Sequence, residues 1–330
     1  MDGTPHGGAA TIALDSLRKQ FDDGTVAVTG LTLDVPAGEL VVLIGPSGCG
    51  KSTVLRMINR LIEPTSGSVT IDGEDVSRAD PVEVRRHIGY VIQNVGLFPH
   101  QTVRTNVGTV PRLLGWKRAR IAERVDQLLE LVGLDPARFG PRYPQELSGG
   151  QRQRVGVARA LAADPVVLLM DEPFSAVDPI ARARLQDEFR KLQAAVRKTI
   201  VLVTHDLDEA VRLGDRIAVL AEGGRLQQYA RPADLLANPA NDFVREFVGN
   251  DRGIRRLAVT PINRALLAPA SRGDGLPTVP LSGTLYDAMA AVLTSADGRV
   301  AVTDEGEAVG TLSLADIRLD AEESDPATVR

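Results

Sequence analysis

The residues GPSGCGKST at 45–53 fit the spacing G-x-x-x-x-G-K-[S/T], a loop suited to holding phosphate. Gly45, Gly48 and Gly50 permit backbone conformations in which successive N–H groups turn inward on an anion. A helix N-terminus just beyond them adds its partial positive charge. Lys51 brings a point charge to the β- and γ-phosphates of a nucleotide, and the Ser52 hydroxyl can ligate Mg2+. Pro46, Ser47, Cys49 and Thr53 complete the cradle; Cys49 reads as small filler, not as a nucleophile. Further on, VVLLMDEP at 166–173 is an apolar run ending in two carboxylates. Asp171, at the strand end, can hold Mg2+ through water, and Glu172 is placed to accept a proton from an attacking water. LSGGQ at 147–151 is a second anion-binding arrangement. Ser148 can cap a helix whose opening residues Gly149, Gly150 and Gln151 offer free backbone N–H groups. One nucleotide does not need two phosphate sites in one chain. The pair makes sense if the second faces a nucleotide held by another copy.

The surrounding elements suit these tasks. ELVVLI, ending at Gly45, is a short, nearly continuous apolar run, the pattern of a strand buried on both faces. A helix follows from about Lys51 to Leu61. Similar apolar strands are expected at 166–170, 200–203 and 216–220, separated by helical segments at 180–197 and 206–213. That alternation predicts a mostly parallel sheet covered on both faces. Residues 10–35 alternate apolar and polar side chains and predict antiparallel strands, with another strand pair around SVTIDGEDV. From about Pro99 to Glu146 the pattern turns helical, with RIAERVDQLLELVGL repeating every 3.6 residues. A break falls near Gly249–Gly253. Residues 264–283 have the Ala, Pro, Gly and Ser content of a linker, and beyond them TLYDAMAAVL predicts a helix followed by two short strands.

Composition narrows the possibilities. A chain of 330 residues with 43% hydrophobic and 25% charged side chains can bury an ordinary core. The net charge of −5 gives no electrostatic footprint for nucleic acid. Most of the net negative charge sits after residue 250, where twelve acidic side chains outnumber eight basic ones. The single cysteine excludes an intramolecular disulfide framework and fits a reducing compartment. No run approaches the roughly 20 apolar residues of a membrane span. The expected location is therefore cytosolic, with any membrane-spanning helices supplied by another subunit.

Taken together, these motifs resemble those of ATP-binding cassette (ABC) ATPases over residues 10–250. LSGGQ is similar to the family's signature sequence, and the remaining elements follow in order. Phe21 stands where the family carries an aromatic that stacks on adenine. Gln93 in GYVIQNVGLFPH resembles the Q-loop glutamine, which senses Mg2+ and the attacking water. SAVD at 175–178 resembles the D-loop, with Asp178 at the partner subunit; Val177 departs from the usual leucine. His205 in VLVTHD resembles the switch histidine on the γ-phosphate. The resemblance implies an α/β P-loop cassette: a mostly parallel core sheet, an N-terminal antiparallel β subdomain, and a helical signature subdomain at about 98–150. It also implies a head-to-tail homodimer enclosing two ATP molecules, with Glu172, His205, Gln93 and Lys51 catalytic and Ser52, Gln93 and Asp171 around Mg2+.

The wider text, including RYPQELSGGQRQRVGVARALAADP and THDLDEAVRLGDRIAVL, resembles ATPase subunits of osmoprotectant importers. That resemblance implies uptake of glycine betaine, choline, carnitine or proline-type solutes. It implies membrane permease subunits and an extracytoplasmic solute-binding protein as partners, and a peripheral location on the cytoplasmic face of the membrane. Methionine or another amino acid remains an alternative solute, and a non-transport ABC ATPase an alternative class. Residues 251–330 are expected to form a linker and a small α+β regulatory domain. Within it, 279–318 resembles a single CBS motif where such ATPases often carry two.

Overall fold

The computed structural model describes residues 8–93, 95–175, 177–269 and 276–317. Ala176 of the 175–178 segment, part of the 264–283 stretch and the last residue of the 279–318 motif lie outside the described residues. The chain divides into two compact units, 1–227 and 228–330.

In the first unit, β1 (Ile12–Gln20) and β2 (Val26–Val35) form an antiparallel hairpin. Leu31, Leu33 and Val35 are buried while Thr32 and Asp34 between them are exposed, the two-residue period of a half-covered sheet. After β3 (Leu40–Ile44) the chain returns to this sheet with β4 (Ser66–Ile71) and β5 (Glu74–Asp75), in the order β2-β1-β4-β5.

The second sheet gathers β3, β6 (Ile88–Val91), β7 (Val167–Asp171), β8 (Thr199–Val203), β9 (Arg216–Ala221) and β10 (Arg225–Ala230). Its order is β10-β9-β3-β8-β7-β6. The pairs β3/β8, β3/β9, β7/β8 and β6/β7 are all parallel. Every residue of β3, β7 and β8 is buried, which is why these strands read as unbroken apolar runs.

Register then aligns the site. Leu43 pairs with Val203, Val203 pairs with Asp171, and Met170 pairs with Val91. The loops that begin at Gly45, Glu172, Thr204 and Ile92 therefore leave one edge of the sheet side by side. The carboxyl ends of parallel strands are where open α/β sheets place their ligands.

Helices Val103–Val107, Thr109–Leu113, Arg118–Leu131 and Gly149–Leu161 lie between β6 and β7. Val125, Leu128 and Leu129 form the buried stripe of the third, as its periodicity predicts.

In the second unit, β11 (Thr278–Pro280), β12 (Arg299–Asp304) and β13 (Glu307–Ser313) form a three-stranded sheet. Helix Leu285–Thr294 is capped by Thr284 and Asp287. Leu285, Ala288 and Val292 from this helix share a core with Val279, Val300, Val302 and Leu312. The sheet has one strand more than the sequence suggests, because β11 has a single buried residue, Val279, inside the linker-like stretch. Helix Arg252–Val259 likewise begins where the sequence suggests a break.

Candidate active site

The loop at 45–53 joins β3 to the helix Lys51–Ile58. Two glycines are dictated by close approach. A Cβ at Gly45 would collide with the Leu220 carbonyl oxygen, and one at Gly50 with that of Ala27. Both have positive φ, 157° and 106°. Strands β9 and β2 thus clamp the loop, and the β1–β2 hairpin that touches Gly50 also carries Phe21. That ring is 39% exposed and has Lys19 Nζ 5.4 Å from its centroid.

Lys51 is 6% exposed. Its ammonium donates to the carbonyls of Gly45 at 2.7 Å and Pro46 at 2.8 Å and lies 3.6 Å from Cys49 Sγ. No carboxylate is among these partners, so the charge sits at the loop backbone, where an anion in the cradle would draw it. Next to it, Ser52 Oγ donates to Asp171 Oδ1 at 2.8 Å. Two hard oxygens from different strand ends fit Mg2+, which takes one or two protein oxygens and leaves the rest of its shell to water and phosphate.

One residue past β7, Glu172 has φ 46°. Its N–H donates to the Val203 carbonyl at 2.9 Å, and its own carbonyl accepts from Ser175 Oγ at 2.9 Å. This left-handed turn is strained for a non-glycine residue. It presents the carboxylate to two neighbours: Gln93 Nε2 donates to Oε2 at 2.9 Å, and His205 Nδ1 lies 3.2 Å from Oε1. Three of the residues singled out for catalysis, from three loops, therefore meet at one carboxylate.

LSGGQ forms a capped helix start. Ser148 Oγ accepts from Gln151 N at 3.3 Å, and Gln151 Oε1 accepts from Ser148 N at 3.0 Å, a reciprocal capping box at the helix Gly149–Leu161. Asp178 caps Pro179–Val196 by accepting from Ala181 N at 3.0 Å.

Three further groups were not singled out from the sequence. Glu209 is buried, and burial, with help from Asp206 and Glu172, pushes its pKa up to about 8. It shares a cavity of about 40 Å³ with Glu172, Ser175, Arg182, Thr204, His205 and Asp206. Arg182 donates to the Val177 carbonyl at 3.1 Å and pairs with Asp206 at 3.5 Å, tying the 175–178 segment to the His205 loop. Tyr90 on β6 has its phenol pKa raised, first by burial and then by Asp171. The only sequence signal for Glu209 is its place four residues after His205.

Similarity to known proteins follows the same lines. Residues 28–175 match the ABC transporter family. The glycine betaine uptake system ATP-binding protein YehX of Escherichia coli is 46% identical over 297 residues, 89% of this chain and 95% of that protein. The chain belongs to the ABC transporter ATP-binding family. The osmoprotectant import ATP-binding protein OsmV of Salmonella typhimurium is 55% identical over 250 residues, covering 74% of this chain but only 65% of OsmV. The chain thus spans less than two thirds of that relative's length.

Among solved structures, the dimeric bacterial ABC transporter cassette MJ0796 aligns with a TM-score of 0.60 at 35% identity, covering 67% of this chain and 98% of that one. The same cassette has also been solved as a post-hydrolysis dimer with ADP and Pi. The ABC cassette fold accounts for the two sheets of the first unit and for the helical segment between β6 and β7. Among the described residues no helix is long and apolar enough to cross a membrane.

Proposed function

We propose that this ABC protein is the ATP-hydrolysing subunit of an importer for quaternary-ammonium osmoprotectants such as glycine betaine, choline or carnitine. One observation carries the hydrolytic part. Glu172 is held by Gln93 and His205 one residue beyond Asp171, beside a loop fitted to phosphate.

In this reading the backbone N–H groups of residues 45–53 and the Lys51 ammonium bind the β- and γ-phosphates, and Phe21 stacks on the base. Ser52, Asp171 and Gln93 would hold Mg2+ directly or through water, and the ion would neutralise phosphate charge. Glu172 takes the proton of the attacking water as general base. Gln93 and His205 fix the direction in which its carboxylate points. Donors placed before charge develops stabilise it without reorganisation. Ser148, Gly149, Gly150 and Gln151 act on the nucleotide of a second copy, with Asp178 at the same interface. The dimeric state of the similar cassette MJ0796 supports this arrangement.

The solute class rests on the relatives, since YehX and OsmV serve glycine betaine and osmoprotectant uptake. Membrane permease subunits and an extracytoplasmic solute-binding protein are the implied partners, with the chain peripheral on the cytoplasmic face. The β11–β13 layer with the helix Leu285–Thr294 is read as a single CBS-like regulatory unit. Uptake of labelled glycine betaine and choline in a deletion strain, with and without this chain, tests the solute. Unchanged uptake of both removes that part of the reading and leaves the ATPase part to be tested on purified protein.

A further inference from the structure

Arg159 lies on the helix Gly149–Leu161, whose N-terminus Ser148 caps. Its Nη2 donates to the Val95 carbonyl and its Nη1 to the Gly96 carbonyl, both at 2.6 Å. These carbonyls belong to the turn two and three residues beyond Gln93. Val95 has φ 54° and Gly96 φ 59°. A β-branched residue in the left-handed region is strained, so the surroundings must hold the turn in place. The guanidinium is half-buried, and that partial burial depresses its pKa. Two carbonyls on one strained turn compensate that charge, an arrangement that needs a rigid fork with donors aimed at both.

Gly156, three residues earlier on the same helix face, supports the same turn. A Cβ there would collide with Val95 Cγ1. The helix therefore grips the turn twice, by leaving room for the Val95 side chain and by binding two of its carbonyls. Gln93, two residues before Val95 in sequence, holds Glu172 with its amide.

We propose that Arg159 is a positioning residue that latches the Gln93 loop to the signature helix and so couples the two nucleotide sites of the dimer. The inference rests on the ATPase-dimer reading above. The N-terminus of this helix serves the partner's nucleotide, while its C-terminal third holds the turn that sets Gln93 in its own site. At about 1.5 Å per residue, the helix from Gly149 to Arg159 puts one rigid element of about 15 Å between the two tasks. When the helix engages one nucleotide, the turn moves with it, and Gln93 reports that engagement to the other.

The test is steady-state ATP hydrolysis by the purified full chain, with binding of a fluorescent ATP analogue to dilute protein measured separately. Arg159→Lys keeps the charge but cannot span two carbonyls. It is expected to lower kcat about tenfold or more, the loss of one transition-state contact, and to move the Hill coefficient for ATP from above 1 to 1. Analogue affinity should stay within about twofold, because the Arg159 hydrogen bonds go to Val95 and Gly96 and not to the phosphate loop. Gly156→Ala is expected to lower kcat in the same way, and adding Val95→Ala should restore it by vacating the room the new methyl needs. A wild-type chain without ATPase activity would overturn the reading of the site. An active wild type with a Hill coefficient of 1 overturns the coupling. So does an Arg159→Lys chain with wild-type kcat, or a Gly156→Ala defect that Val95→Ala leaves unchanged.

Discussion

Gln93 donates its side-chain amide to Glu172 Oε2 at 2.9 Å, across the gap between the ends of two adjacent parallel strands. With His205 beside the other oxygen, the carboxylate has a neighbour on each oxygen, which orients it and leaves lone pairs free for water. A general base held this way is expected to fail completely when its charge is removed. Glu172→Gln should lower phosphate release at least about 100-fold, the low end of what general-base catalysis supplies. Because the phosphate loop is untouched, the variant should still bind ATP and accumulate as a dimer on size-exclusion chromatography. Phosphate release at the wild-type rate would remove Glu172 from the base role.

Lys51 gives a second expectation, of opposite sign for stability and for binding. Its ammonium is buried against carbonyls, with no carboxylate partner among the described residues. Burying such a charge is costly, so Lys51→Met should be neutral or slightly stabilising in the absence of ligand. Nucleotide at 100 times its Kd stabilises a binding protein by about 2.7 kcal/mol. Wild-type chain should show an upward shift of that order in thermal unfolding, and Lys51→Met almost none. An equal shift in both chains would mean that the lysine does not contact phosphate.

These two residues were legible because their chemistry is local. The phosphate loop, the strand-end carboxylates and the capped LSGGQ each occupy a few consecutive residues, and β3 and β7 announce themselves as unbroken apolar runs. Arg159 and Arg182 were not legible. Arg159 acts on carbonyls more than 60 residues away and Arg182 on the distant Asp206 carboxylate, and a surface arginine would read the same. The strand Thr278–Pro280 was missed because three residues with one buried side chain show no period, and Pro280 argues for a loop. Gly253 hid the start of Arg252–Val259 in the same way.

Glu209 supplies a pH dependence. Its folded pKa is about 8 against 4.5 for an unperturbed glutamate, raised by burial and by Asp206 and Glu172, with Thr204 and Arg182 opposing. Between these values the folded chain binds a proton that the unfolded chain has released. Glu209's stabilising contribution is therefore complete below about pH 4.5 and is lost as pH rises through about 8. At about 1.4 kcal/mol per unit the effect amounts to a few kcal/mol. Glu209→Gln mimics the protonated form and should flatten the decline. Urea unfolding midpoints at about pH 6 and about pH 8 check this: the wild-type midpoint should fall between them and the variant's should not. Parallel declines in both chains would place the titration elsewhere.

Ser148 and Lys51 allow a test of whether the active site is shared between copies. Ser148 caps its helix through a reciprocal pair with Gln151, and losing such a cap costs about 1 kcal/mol of stability. Its larger role, in the proposed dimer, is toward the phosphates bound by the other chain's Lys51. Ser148→Glu places a negative charge at that helix start, where it should repel the partner's nucleotide. Each single variant alone makes dimers in which both sites are defective. A mixture of Ser148→Glu and Lys51→Met chains also forms mixed dimers, in which one site carries both defects and the other carries neither. Mixing should therefore recover single-turnover hydrolysis in the mixed dimers, up to one site per dimer. If Ser148 and Lys51 instead served the same nucleotide within one chain, every site in the mixed dimer would carry one defect and no activity would return.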